Sequence, residues 1–398
     1  MARVVASGQD TLDELAANIV RLFTDAEQRL NAALAAQVRA GLNASEQDVV
    51  RALRLADLRD LAQQVSERVS SRVPEEAEAA MKAARESGQL AVAQELMVAR
   101  AGGAATLAAQ VQSGIVSVST DMALRGVLGS APAAVALTAE LTSGLQDVTR
   151  RILRWPDDVY RRAVAQSATD LLLGLGKATQ RSAQVAAWQR IVSEGVKGFT
   201  DTAGRRWNLA SYAEMATRTS VRRAWDIQHE TTMKTSNISL CTIVVGSGAC
   251  KACADQAGKI FRLDAGPTGR IKAPSSVDPT KTVTVNVQGT LDDARSHGWR
   301  HPNCRCRPVA YLPGLSLVED VTTYDPQAEA DRARLRGLER DVRQAKAQAA
   351  SAVSPEQRNA EQARVRALQG QIRDHTKATG LARQPNREQL DLGNRPQR

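Results

Sequence analysis

Aromatic residues are scarce in this chain: 3 Phe, 4 Tyr and 5 Trp among 398 residues, or 3%. Sheet-rich folds lean on aromatic and β-branched side chains, so an all-β sandwich or barrel is not expected. Histidine is nearly as rare, with 4 copies. Neither His-Glu-x-x-His nor the deaminase pattern of His-x-Glu with Pro-Cys-x-x-Cys occurs, which removes two common zinc-enzyme classes. No stretch approaches the roughly 18 uninterrupted apolar residues of a membrane span. Met1 to Leu15 carries one Arg, a short Val-Val-Ala patch and then three acidic residues, without the long apolar core of a signal peptide. The expected setting is a cytoplasm, unless the protein leaves as part of a particle.

What is present favours helix. Hydrophobic residues make up 43% of the chain, mostly Ala, Leu and Val, and Ala and Leu lose little on entering a helix. The length allows two or three domains with a sizeable core. Net charge is +10, and the excess is uneven. Residues 331–398 hold 15 Lys/Arg against 8 Asp/Glu, an excess of seven in the last sixth of the chain. Such a tail is ordinarily a solvated face; contact with nucleic acid is the functional alternative.

Along the first 200 residues the pattern is a series of helices. Thr11 and Glu14 fit a capping box. Leu12, Leu15, Ile19, Leu22, Leu30, Leu34 and Val38 then fall on one helical face, with Gly41 as the expected stop. A second helix is expected from Ser45, with Leu58, Leu61, Val65 and Val69 before Pro74. Ala-rich helical runs follow at about 75–101, 104–127, 131–153 and 156–192. A polar, Gly-rich break spans Gly195 to Trp207, and a further helix is expected from about Leu209 to Thr235. There the texture changes. Leu240 to Val245 is apolar and β-branched, while Lys259 to Leu263 and Thr282 to Val287 alternate, so they predict short strands. From about Gln327 helix returns, with Leu335, Leu338 and Val342. Pro355 interrupts it, then Val365, Leu368 and Ile372 continue a narrow face to Gly380. That face suits either a partner helix or the protein's own body. The fold class is therefore mostly α: a long-helix body with a small β-containing Cys/His module before a C-terminal helical tail. The expected division is 1–200 helical region, 201–238 linking helix, 239–315 Cys/His module, and 316–398 basic helical tail with a flexible end.

All five cysteines lie in that module: Cys241, Cys250, Cys253, Cys304 and Cys306, together with His297 and His301. Cys250-Lys-Ala-Cys253 and His301-Pro-Asn-Cys304 share a two-residue gap, which lets two ligands from one tight turn reach a single ion. Two such turns supply the four ligands of tetrahedral Zn²⁺, and a closed set of four makes the site structural. Cys250, Cys253, His301 and Cys304 are thus the candidate zinc ligands, with Cys306 and His297 in reserve. Free thiols in tight turns are the plain alternative. Disulfides are disfavoured in a reducing cytoplasm, and a catalytic cysteine with His301 as base lacks any further partner. Trp207 and Tyr212 are expected as core anchors, and Asp201 as a cap or turn residue.

Several of these segments also follow a known order. Asp201-Thr-Ala-Gly-Arg-Arg-Trp207 and Ser211-Tyr-Ala-Glu-Met-Ala-Thr-Arg-Thr219 resemble the centre of phage minor capsid proteins of the minor capsid protein 2 type. Cys250-x-x-Cys253, Ala257-Gly-Lys-Ile-Phe261, His297-Gly-Trp-Arg-His-Pro-Asn-Cys-Arg305 and Tyr311-Leu-Pro-Gly314 come in the same sequence. They also resemble the phage Mu F-type head morphogenesis proteins. Val365 to Arg373, Gly380-Leu-Ala-Arg383 and Arg387-Glu388 are similar to the C-terminal helix of that family. The resemblance covers roughly residues 190–390. Where several relatives carry His after Asn-Cys-Arg, this chain has Cys306, so the residue completing a metal site stays open. The resemblance implies a low-copy, non-enzymatic structural component of the phage head that is assembled in the host cytoplasm and resides in the virion. Its implied partners are portal and capsid or scaffold proteins, with packaged DNA as a further partner and no membrane. A DNA-binding protein is the second reading, and a head-maturation enzyme the third.

Overall fold

The computed structural model describes residues 12, 14–43, 54–102, 132–173, 191, 197–200, 206–245, 249–301, 304, 306–316, 318, 324–352 and 354–390. Two compact units emerge. One comprises Met1–Ala16, Glu78–Glu140 and Arg218–Ala330; the other comprises Ala17–Ala77, Leu141–Thr217 and Asp331–Arg398. The fold is mostly α, with one five-stranded mixed sheet and a separate two-stranded one.

Helix α1 (Ala17–Asn43) buries Ile19, Leu30, Leu34 and Val38, as the apolar spacing predicts, but also Phe23, while Leu22 is only half-buried. Gly41 does not stop it, since the helix runs on to Asn43; Thr11 and Ser45 lie outside the described residues. Helix α2 (Leu55–Gly102) passes through Pro74, where a break is expected. Proline removes one backbone hydrogen bond and costs about 3 kcal/mol in a helix interior. Pro74 is exposed, so water can serve the freed carbonyl. Val69, Val73, Ala77, Ala80 and Met81 meanwhile keep one continuous buried stripe across it. Helices α3 (Pro132–Ile152) and α4 (Trp155–Leu173) each open with proline in the first turn, where its missing N–H is harmless. The run expected at 104–127 lies outside the described residues, as does most of 156–192 beyond Leu173.

Strands β1 (Lys197–Thr200) and β2 (Arg206–Asn208) pair antiparallel where only a polar break is expected. Helix α5 (Leu209–Thr235) follows, with the bounds its pattern predicts. At the far end of the chain, α8 (Pro326–Ala350) and α9 (Pro355–Thr379) form a helical pair. Their narrow stripes cover one another: Leu335, Leu338, Val342 and Ala345 pack with Leu368 and Ile372. The Ser354 hydroxyl caps α9 by accepting from the Gln357 N–H at 3.2 Å. Gly380, at φ +69°, ends it in the left-handed conformation that glycine tolerates best. Beyond it, Pro385–Glu388 forms a 3₁₀ turn. The Glu388 carboxylate, 1% exposed, accepts from Arg383 Nε at 2.6 Å and Nη2 at 2.8 Å.

The mixed sheet is built from β3 (Leu240–Val244), β4 (Ile260–Arg262), β5 (Gly269–Pro274), β6 (Thr282–Thr290) and β7 (Arg307–Ala310). Its order is β5-β6-β4-β3-β7, with only β4 and β6 parallel. Short helices α6 (Lys251–Ala254) and α7 (Leu291–Ser296) lie between strands. Alternation along β3 and β6 splits the apolar side chains between two faces. Leu240, Val285 and Val287 form one small cluster. Cys241, Ile243 and Phe261 join Trp299, Val92, Leu96 and Met233 in the larger one. Strands β5 and β7 escape the alternation reading because each is short and carries a proline, Pro274 and Pro308. Both are edge strands, where a missing N–H is tolerated.

Candidate metal centre

Strand pairing brings the two Cys/His turns together. Strands β3 and β7 run antiparallel, with Val244 opposite Arg307. The chain leaving β3 toward Cys250 and the chain entering β7 from Cys306 therefore meet at one end of the sheet, although some 50 residues separate them. Each segment then closes a tight turn. The Cys253 N–H donates to the Cys250 carbonyl at 3.1 Å, and the Cys304 N–H donates to the His301 carbonyl at 2.9 Å. The equal gaps seen in the sequence are thus each closed by one backbone hydrogen bond.

Four of the five module cysteines and one histidine converge there. Cys250 Sγ lies 3.1 Å from His301 Nε2, and Cys253 Sγ lies 3.4 Å from Cys304 Sγ. Two overlapping triads have all their ligand atoms within 4.8 Å: Cys250, Cys253 and His301, and Cys253, Cys304 and Cys306. Cys253 belongs to both. The second triad is buried, whereas His301 is exposed and Cys250 half-buried. Zn–S bonds of about 2.3 Å in a tetrahedron require sulfurs about 3.7 Å apart, so such a cluster could hold a metal ion with small adjustments. All five cysteines are free thiols.

The three buried thiols shift one another's acidity in opposite directions. Hydrogen bonds from Cys253 and Cys306 lower the pKa of Cys304. Cys253 is raised, chiefly by its hydrogen bond to Cys304. For Cys306 a hydrogen bond from Cys253 works downward, but the bond to Cys304 and burial carry it up to about 12.

The two reserve candidates divide, and Cys241 stays apart. His297 ends α7, with Nδ1 2.6 Å from the Asp293 carbonyl, and belongs to neither triad. Cys241 lies in mid-strand with its pKa raised by burial. Cys306, a reserve candidate, is in the inner triad. Pro302, Asn303 and Arg305 lie outside the described residues, as does the Trp207 side chain, while Tyr212 is half-buried.

Sequence reasoning misses the surroundings. Thr290 and Asp293 form a reciprocal capping box that starts α7 and so aims the turn toward His301. Arg300, at φ +72°, pairs with Asp226 of α5 and donates to the Cys306 carbonyl. Arg222 Nη2, one helical turn before Asp226, donates to the same carbonyl at 3.3 Å. Glu95 of α2 lies 3.0 Å from His229 Nε2 and accepts the Ala310 N–H at 3.0 Å. Arg300 carries a local hint, its place beside His301, and Thr290-x-x-Asp293 has the spacing of a cap; Arg222, Asp226, His229 and Glu95 come from distant helices.

Long helices are thus joined to a small sheet whose end gathers four thiols and one imidazole. The chain belongs to the phage minor capsid protein 2 family, whose sequence profile matches residues 8–377. It is accordingly a structural protein of the phage head, with the virion as its location. No curated protein and no solved structure matches the chain. Among the described residues no helix is long and apolar enough to cross a membrane.

Proposed function

We propose that the protein acts in head assembly, with its helical body contacting portal, capsid or scaffold subunits and the 239–315 module holding the contact geometry. The observation that carries this reading is the family match over residues 8–377. It spans helical body, module and tail together, as expected of a chain that works as one structural part. In the proposed organisation, 1–200 supplies helical surface, 201–238 links it to the module, and 316–398 forms the basic tail. Co-expression with the cognate portal and scaffold proteins tests it. The protein should enter procapsids at low copy, and soluble protein that is absent from purified heads would sink the assembly role.

Within the module we assign a structural Zn²⁺ to Cys250, Cys253, His301 and Cys304, with Cys306 as the alternative to His301. The 3.1 Å contact between Cys250 and His301 also suits a nucleophile and its base. A dyad leaves the convergence of Cys253, Cys304 and Cys306 unexplained, whereas an ion accounts for it. A structural role is therefore favoured over a catalytic one.

The second reading, DNA contact, has its own support. Arg358, Arg364, Arg366, Arg373 and Lys377 are all exposed on α9. Arg364 also donates to Gln348 Oε1 of α8 at 3.4 Å, so phosphate contact there would compete with that bond.

A further inference from the structure

Arg300 is unusual on three counts. It is one of two non-glycine residues among those described with positive φ, a conformation disfavoured for residues with a Cβ. Its side chain is only 9% exposed, and a buried guanidinium is costly unless paired. Its Nε is buried without an acceptor. Its contacts tie the module to α5. The guanidinium pairs with Asp226 of α5, donates to the Cys306 carbonyl and lies over the Trp299 ring at 5.2 Å.

A neutral thiol accepts hydrogen bonds weakly. A metal-bound thiolate is an anion and accepts charge-assisted bonds from N–H groups. Three thiolates and an imidazole leave a zinc centre with net negative charge, which a buried site must balance. Arg300 is placed to do so, immediately before His301 and against the turn that carries Cys304 and Cys306.

We propose that Arg300 is the positioning and charge-balancing residue of the metal centre, held by Asp226 and by its bond to the Cys306 carbonyl. This rests on the zinc reading above. The left-handed backbone at Arg300 turns its side chain inward while His301 stays at the surface. Asp226 fixes the fork from α5, so the helix and the Cys304–Cys306 turn are registered against each other through one guanidinium. Arg295 serves as the internal contrast. It also lies over the Trp299 ring, at 5.7 Å, but its acids are Glu230 and Asp292.

The test uses full-length protein loaded with Zn²⁺ or with Co²⁺, whose thiolate sites absorb visible light. Arg300→Met, Arg300→Lys, Asp226→Asn and Arg295→Met are compared with the wild type. Zinc affinity is read by competition with a chromophoric chelator and ligand geometry by the Co²⁺ spectrum. Removing the guanidinium should weaken zinc binding about 10–100-fold, the usual effect of losing an outer-shell partner, and alter the Co²⁺ bands. Asp226→Asn should move both readouts the same way by less. Arg300→Lys keeps the charge but loses the fork, so it should fall between Arg300→Met and the wild type. Arg295→Met should bind as the wild type does. Equal affinity and spectra for wild type and Arg300→Met overturn the proposal while leaving the zinc site standing. If Arg300→Met does not fold, unchanged affinity and spectrum in Arg300→Lys overturn it instead. A wild-type protein that takes up neither metal defeats the zinc reading itself.

Discussion

At the scale of single residues, the module separates cysteines that share a sequence neighbourhood. Cys241 sits between Phe261 and Ala310 in the sheet, in the larger apolar cluster. Cys250, Cys253, Cys304 and Cys306 gather at the sheet's end. The proposed site predicts unequal responses to substitution. Zinc should approach one ion per chain in the wild type and in Cys241→Ala, where alanine avoids burying an unpartnered hydroxyl. Cys250→Ser and Cys304→Ser should lose it, and the loss in Cys306→Ser, compared with His301→Ala, decides which of the two completes the set. Thiolate ligands must be deprotonated, so lowering the pH should release the ion and raising it should restore binding. Metal-free wild-type protein that stays folded in chelator would refute the site.

At the scale of elements, the module depends on how closely α2 approaches α5. A Cβ built on Gly88 would stand 2.5 Å from the Trp225 carbonyl oxygen and 3.3 Å from the His229 nitrogen. Backbone atoms cannot swing aside as a flexible side chain can. Glu95, two turns further along α2, reaches His229 and the β7 backbone at Ala310, so moving α2 also moves the edge strand beside the proposed metal centre. Gly88→Ala gains about 1 kcal/mol of helix propensity but faces an overpacking cost of about 1–3 kcal/mol. The expected outcome is a lower melting temperature, together with faster zinc release to chelator. A variant as stable as the wild type would show that the two helices can part freely. Pro74 teaches the converse lesson. It reads as a break in the sequence, yet an exposed proline on a helix with an unbroken buried stripe only loosens one turn.

At the scale of the whole molecule, charge is the property that composition reports most directly. Net charge is +10, and α9 carries exposed arginines on a helix whose apolar stripe α8 already covers. Replacing Arg358, Arg364, Arg366 and Arg373 with Gln leaves that stripe intact and removes four charges. If the tail touches DNA, wild-type protein should bind weakly and without sequence preference. The variant should then show a shallower salt dependence, by about 0.9 in log–log slope for each phosphate that is no longer neutralised. Equal binding at low salt would make the tail an ordinary solvated surface.

Much of the architecture was legible because periodicity is local. Helices α5, α8 and α9 were expected from the sequence pattern, and Gly380 as the close of α9, but that α8 and α9 cover one another was left open until the structure paired them. Strands β3, β4 and β6 announce themselves by alternation, and the two x-x gaps by their equal length. Strands β5 and β7 did not, because proline at a sheet edge leaves no alternating signal. Composition and apolar spacing determined the mostly α fold, and the order of motifs along the chain pointed to the family. Only the tertiary structure decided which ligands meet. The pairing of β3 with β7 turns a separation of some 50 residues into a few ångströms, draws Cys306 into the buried triad and leaves His297 outside it. The same packing brings Asp226 and Arg222 of one helix to the turn beyond Arg300. Hydrogen bonding between strands and the burial of charge are long-range effects, and no local pattern of residues encodes them.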